Sequence, residues 1–193
     1  MKKNLLISLW FTLVTTVIFG LIYPLAVTGL SQLLFPGKAN GQLIERDGKL
    51  FGSRIIGQAF TGLGYFDSRP SAAGTGNGYD AASSSGSNLG PTNKALLDRV
   101  KGDVRRLYAE NPSSPIPVDL VTTSGSGLDP DISPAAAEFQ IPRVARTRHI
   151  SESELRSLVA KHILGRQLGI LGEPRVNVLE LNVDLDRRHP LSK

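Results

Sequence analysis

The chain has no cysteine, so no disulfide can hold its fold together and its stability must come from a hydrophobic core. It also has no charged residue between Lys3 and Lys38. Residues 5–30 of this uncharged stretch are long enough to cross a bilayer, which takes about 20 apolar residues in a helix. A cleavable secretion signal usually has a shorter apolar core, and a buried soluble helix should show a polar stripe and caps. The sequence therefore predicts one transmembrane helix at residues 5–34.

The lysines that precede the span predict its orientation. Basic residues remain on the cytoplasmic side of a span, so we expect residues 1–4 in the cytoplasm and residues 35–193 outside it. The chain has 22 basic and 17 acidic residues, and without Lys2 and Lys3 the balance is +3. This mild charge does not favour nucleic-acid binding, which usually requires a dense basic surface.

Small and hydroxyl-bearing residues recur every four positions along the span. Positions four apart form one ridge of a helix, along which helices can approach closely and form hydrogen bonds. Pro24 removes a backbone donor from the carbonyl of Gly20, so we expect a kink there. The ridge predicts a docking face for other helices, although these residue types are frequent in spans in any case. Its members are Ser8, Thr12, Thr16, Gly20, Pro24 and Thr28.

The remainder of the chain predicts a small mixed α+β domain, in which Pro142 ends the second helix and a bulge interrupts the last strand near Leu179. The expected elements in chain order are a hairpin around Asp47-Gly48 with Ile55-Ile56 extending it, a helix over 93–110, a strand over 118–121, a helix over 133–140, a helix from the Ser151…Glu154 capping box, and a strand over 176–185.

A Gly- and Ser-rich stretch occupies residues 71–93 and carries Asp80 as its only charge. A loop of this length is either a flexible linker or an ordered functional loop. Disordered linkers usually carry more charge and fewer aromatic residues, so we expect an ordered loop.

No catalytic or metal-binding motif is visible in the sequence. Residues 124–127 lack the lysine of a P-loop, the three histidines lack the spacing of a metal site, and there is no G-x-S-x-G elbow. We therefore expect an accessory or interaction role. The alternative is a membrane-anchored hydrolase that would use Ser126 and His149. A basic cluster is either a solvated face or a docking surface for an acidic partner, and it comprises Arg143, Arg146, Arg148 and His149.

Three segments resemble signatures of the KdpC subunit of the bacterial Kdp potassium-transporting ATPase. They are residues 66–72 (FDSRPSA), residues 86–93 (GSNLGPTN) and residues 124–136 (SGSGLDPDISPAA), the last running on to Gln140 and residues 143–145. Their order and the single N-terminal span also match, so the resemblance covers nearly the whole chain.

The resemblance implies a non-catalytic subunit of a complex in the bacterial inner membrane, with no cofactor of its own. Its partners would be a channel-like A subunit that carries potassium and a B subunit that hydrolyses ATP. Neither activity belongs to this chain, which has no D-K-T-G phosphorylation motif and no TVGYG-type filter. The family is described as a catalytic chaperone that raises the ATP affinity of the ATPase through a ternary complex.

The resemblance also nominates site residues. If the contact with ATP is direct, the candidates are Ser124, Ser126, Asp129 and Gln140. The predicted topology places these residues outside the cytoplasm, which favours an indirect effect on ATP. The residues expected to dock a partner are Arg69, Asn88, Arg143 and Arg146.

Overall fold

The first of two compact units is a long helix. The structure is a computed structural model that describes residues 1–46 and 48–191, and it divides into Met1–Leu43 and Ile44–Lys193. Helical backbone runs from Lys2 to Leu34 with a mean hydropathy of 2.3 and none of its apolar window buried, so it is long and apolar enough to cross a membrane. Its elements are α1 (Lys2–Val17), a π-helical turn (Ile18–Ile22), α2 (Tyr23–Leu34) and the short α3 (Pro36–Ala39).

The π-helical turn lies next to Pro24, where a kink was expected. The N–H of Tyr23 donates to the carbonyl of Ile18, five residues back, instead of to the residue four back. Such a turn inserts one residue into the helix. The predicted ridge therefore follows regular α-helix only from Ser8 to Thr16. Gly20 lies inside the π-helical turn and Pro24 lies after it.

The second unit is a mixed helix and sheet domain, which confirms the predicted α+β class. Its elements are β1 (Leu43–Arg46), β2 (Lys49–Ser53), α4 (Lys94–Glu110), β3 (Asp131–Ile132), α5 (Pro134–Arg148), α6 (Glu152–Lys161), β4 (Ile163–Leu164), β5 (Arg175–Asn177) and α7 (Val178–Arg188), with 3₁₀ turns at Ala81–Ser83 and Val118–Leu120. Three of the strands are antiparallel neighbours in the order β3-β5-β4, with Val176 of the central strand opposite Ile132 and Ile163. Helix α5 packs on α6 and β5, and α7 packs on the same two elements.

Helix α5 does not end at Gln140, so the predicted break at Pro142 was wrong. The helix continues to Arg148 because Ile141, Val144 and Ala145 are buried in the core. Burial of these side chains offsets the roughly 3 kcal/mol that a proline costs inside a helix. The end comes at His149, whose backbone is left-handed with φ 56°.

Three strand predictions also failed. The C-terminal strand is limited to Arg175–Asn177, after which the Asn177 side chain accepts from the N–H of Glu180 and caps α7. The periodicity of Val178, Leu181 and Leu185 fits a helix as well as an irregular strand. Residues 118–120 form a 3₁₀ turn after Pro117, and β2 ends at Ser53, before the two isoleucines.

The buried side chain of Asn182 attaches α7 to the chain near Phe66. Its Oδ1 accepts from the N–H of Phe66 and its Nδ2 donates to the carbonyl of the same residue, each at 2.9 Å. Both backbone groups of Phe66 therefore depend on one amide.

We expect Asn182→Ala to lower the free energy of unfolding by about 2 kcal/mol, because a buried N–H and carbonyl lose their partners. Asn77 is exposed, so Asn77→Ala should change the free energy of unfolding by less than about 0.5 kcal/mol. Urea unfolding of the full chain in detergent, followed by circular dichroism, measures both. Equal effects would show that the Phe66 contact does not stabilise the domain.

Candidate functional site

The three segments that carry the family resemblance come together in one loop cluster, formed by residues 66–73, 79–90 and 124–130. The Ser71 hydroxyl donates to the Gly127 carbonyl at 2.6 Å, and the Ser84 hydroxyl donates to the Ser126 carbonyl at 3.0 Å. The Tyr79 hydroxyl donates to the Arg69 carbonyl at 2.7 Å, and burial raises the pKa of Tyr79 to about 12. These bonds show an ordered Gly/Ser-rich loop, as predicted.

Gly127 lies where the segments of the cluster approach each other closely. Its backbone is left-handed, with φ 67°, a conformation that favours glycine. A Cβ at this position would lie 2.7 Å from the N atom of Ala73 and 2.7 Å from the carbonyl oxygen of Ser85. Gly125, two residues earlier, has no heavy atom within 4 Å of such a Cβ.

Ser124, Ser126 and Asp129, three of the nucleotide candidates, lie beside one shallow recess of about 620 Å³. The two hydroxyl groups accept from the N–H groups of Gly127 and Leu128, at 2.9 and 3.1 Å, and so stabilise their own turn. Asp129 accepts from the N–H of Asp131 at 3.0 Å and pairs with Arg69 at 2.8 Å.

Gln140, the fourth candidate, is buried on α5 and does not line that recess. Its Oε1 accepts from the N–H of Asp67 and from Arg143, each at 2.7 Å. Its Nε2 donates to the carbonyls of Asp67 and Ala136, each at 3.2 Å. A direct contact with a nucleotide would require Gln140 to leave these partners.

Arg143 is nearly buried and holds several elements together. Its Nε donates to Glu110 at 2.8 Å, and its Nη1 donates to the carbonyls of Leu63 and Tyr65 at 2.7 and 2.9 Å. Its Nη2, besides binding Gln140, lies 3.3 Å from Asp67. Burial raises the pKa of the Asp67 carboxyl, and the guanidinium groups of Arg143 and Arg106 oppose this shift.

The predicted basic cluster is not a continuous surface. Arg148 is buried, pairs with Asp186 at 2.7 Å and lies over the Tyr65 ring, so it joins Arg143 inside the domain. Arg146 is exposed beside a cavity of about 950 Å³, and no ion pair holds its side chain within the described ranges 1–46 and 48–191. The two interpretations of the cluster, a solvated face or a docking surface for an acidic partner, therefore apply to Arg146 but not to Arg143 and Arg148.

The other docking candidates differ in accessibility. Asn88 is exposed, with a left-handed backbone at φ 52°, and its side chain donates to the Gly86 carbonyl at 3.3 Å. Arg69 is partly buried in its pair with Asp129. Of the four predicted docking residues, Asn88 and Arg146 offer the most accessible side chains.

No hydrogen bond joins Ser126 to His149 in the part of the chain that the structure describes, where His149 is exposed at the end of α5. That part also holds no group of three or more His, Cys, Asp or Glu residues able to bind a metal ion. His162 lies 3.1 Å from Asp184 and is partly buried, in line with a packing role.

Comparison with known proteins identifies the family. A family model for the c chain of the K⁺-transporting ATPase matches residues 5–187. The chain belongs to the KdpC family. It is 63% identical over 191 residues to the potassium-transporting ATPase KdpC subunit of Koribacter versatilis, covering 99% of this chain and 98% of that protein. The KdpC subunit of Methylobacterium nodulans is 58% identical over 196 residues, covering 96% of each chain.

Within this KdpC chain, sequence reasoning missed Asn182 and the structural role of Arg143. The signal for Asn182 in the sequence was an amide among apolar residues, since its neighbours Leu181 and Leu185 are of a type that is usually buried. A buried amide requires hydrogen-bond partners. Arg143 and Gln140 stand three residues apart, so a helix that continued through Pro142 would have placed both on one face.

We expect Gly127→Ala to loosen the loop cluster, because the new methyl group collides with backbone atoms at a left-handed position. The cost should be about 1–3 kcal/mol. Limited proteolysis should then cut residues 71–93 faster than in the unchanged chain. Gly125→Ala is the matched control and should leave the cleavage rate unchanged; similar rates in both variants would mean that this close approach does not order the loop.

Proposed function

We propose that this KdpC chain is a non-catalytic accessory subunit that stabilises the potassium-transporting ATPase and raises its affinity for ATP through the partner subunits. The family match over residues 5–187 carries this proposal. The partners are a channel-like A subunit and an ATP-hydrolysing B subunit, as the family resemblance implies. In this proposal ATP and potassium bind to those partners.

The proposed location is the bacterial inner membrane, with a single span, a cytoplasmic N-terminus and the folded domain outside. Lys2 and Lys3 support this orientation, since basic residues favour the cytoplasmic side. The continuous apolar helix from Lys2 to Leu34 supports the span. ATP on the cytoplasmic side would then be separated from the loop cluster by the bilayer.

The hydrogen bonding of the candidate residues supports an indirect effect on ATP. Gln140 uses its amide to join α5 to the chain at Asp67, and Ser124 and Ser126 use their hydroxyl groups as acceptors within a turn. An indirect effect is a coupling free energy, typically 1–3 kcal/mol, between the binding of this subunit and the binding of ATP. Such coupling requires only that the subunit bind two states of its partner unequally.

We expect the purified full chain in detergent to show no saturable ATP binding by calorimetry. Adding the chain to a complex that lacks it should raise the ATP affinity by about 5–150-fold, the range of a 1–3 kcal/mol coupling. Saturable binding to the chain alone that disappears in Asp129→Ala would establish direct contact instead. No change in ATP affinity on adding the chain would contradict the chaperone role itself.

The small-residue ridge is the proposed docking face of the span. A Cβ at Gly20 would meet only Thr16 Cγ2, at 3.8 Å. Gly20 is therefore not crowded by its own helix. A larger side chain at Gly20 would act on a neighbouring helix.

We expect Gly20→Leu to reduce retention of the chain in the complex by about fivefold, since close helix contacts in lipid contribute about 1 kcal/mol each. Ala26→Leu is the control, because it enlarges a small exposed residue of the span that lies outside the ridge. Co-purification from mild detergent measures both variants. Equal retention of the two would show that the ridge faces lipid.

A further inference from the structure

The loop that joins β4 to β5, residues 165–173, presents apolar side chains to solvent at its tip. Leu168 is 88% exposed, Ile170 is 74% exposed and Leu171 is 54% exposed. No charged residue lies between Arg166 and Glu173. The tip is therefore an apolar projection with a polar base.

Hydrogen bonds at the base hold the 165–173 loop in this form. Gln167 and Leu171 exchange two backbone hydrogen bonds, of 2.8 and 2.9 Å. The Nη2 of Arg166 donates to both carboxylate oxygens of Glu173, at 2.8 and 2.7 Å. Leu168 has a left-handed backbone, with φ 53°. The exposed apolar side chains are thus carried by a closed loop.

The small size of the tip favours lipid over protein as its partner. Three aliphatic side chains offer on the order of 300 Å² of apolar surface. A stable protein interface buries about 800 Å² on each partner, so this tip alone is too small for one. Entry into a bilayer needs no minimum area, because each methylene transferred from water contributes about 0.8 kcal/mol.

The distribution of polar groups also matches a bilayer surface. An apolar tip suits the acyl boundary, and an ion pair at its base suits the hydrated headgroup layer. A folded unit of this size has a radius of gyration of about 15 Å, so every loop of a domain tethered to a span stays within roughly 50 Å of the membrane. Tethering also raises the effective concentration of the loop at the lipid surface.

We propose that the 165–173 loop inserts its apolar tip into the boundary between the headgroups and acyl chains of the bilayer that holds the N-terminal helix. This inference rests on the proposed membrane anchor, but not on the side of the membrane that the domain occupies. The loop would hold the domain in one orientation at the lipid surface.

The absence of cysteine allows a single label to report on each position in the full chain. The variants are Ile170→Cys at the loop tip, Lys101→Cys on exposed α4, and Leu13→Cys in the span, each coupled to an environment-sensitive NBD dye. The chain is reconstituted in phosphatidylcholine vesicles with and without a phosphatidylcholine spin-labelled near the headgroup. We expect the spin label to quench the dyes at positions 170 and 13 about twofold or more, and to leave the dye at position 101 bright.

A second substitution tests whether the apolar tip causes the insertion. Leu168→Asp places a charge on the tip, and aspartate tolerates a left-handed backbone, so the loop should still fold. We expect it to abolish lipid quenching of the dye at position 170. Leu63→Asp, at another exposed leucine outside the loop, should leave that quenching unchanged.

Each result decides between distinct conclusions. Quenching at position 13 without quenching at position 170 would overturn the loop proposal and leave the membrane anchor intact, whereas no quenching at position 13 would refute the anchor. The same labels in the assembled complex test a protein partner. A dye at position 170 that is shielded from both lipid quencher and aqueous iodide only in the complex would identify a subunit interface and overturn lipid insertion.

Discussion

The pair formed by buried Gln140 and nearly buried Arg143 is the interaction on which the arrangement of the folded domain depends. Both lie on α5, three residues apart, and together they bind the backbone near Asp67, the carbonyls of Leu63 and Tyr65, and the carboxylate of Glu110 on α4. A buried guanidinium is costly unless its donors are satisfied, and here every nitrogen has a partner. Residues 66–73 of the loop cluster belong to, and continue from, the segment that this pair holds in place.

This use of polar groups explains why the site does not look like an active site. The hydroxyls, amide and carboxylate that the sequence brings forward act as internal connections, and an enzyme would need some of them free to meet a substrate. Arg146, at the mouth of a cavity, and Asn88, at the edge of the loop cluster, are more accessible. Of the predicted docking residues, Asn88 and Arg146 are therefore the ones most accessible to a partner protein.

The sequence predicted the long apolar helix, α4, the capped start of α6 and the ordered Gly/Ser-rich loop, because each depends on local periodicity, caps or composition. It did not predict the continuation of α5 through Pro142, where burial of Ile141 and Val144 outweighs a local rule. The apolar positions of residues 176–185 fit the period of a strand as well as that of a helix, and the hydrogen bond that the Asn177 cap accepts stabilises the helix. Local patterns also could not show that Gln140 and Arg143 face inward, since that depends on the distant segment around Asp67.

In the proposed accessory role, the subunit would change the activity of the complex only by binding its states unequally. Several internal contacts of the domain bear on that requirement. Gly127 fits where a methyl group would collide, Asn182 satisfies both backbone groups of Phe66, and the 165–173 loop is closed by an ion pair and two backbone bonds. A domain that these contacts hold in one shape would fit two states of a partner unequally. In the proposed role, that difference in fit would be the source of the coupling free energy.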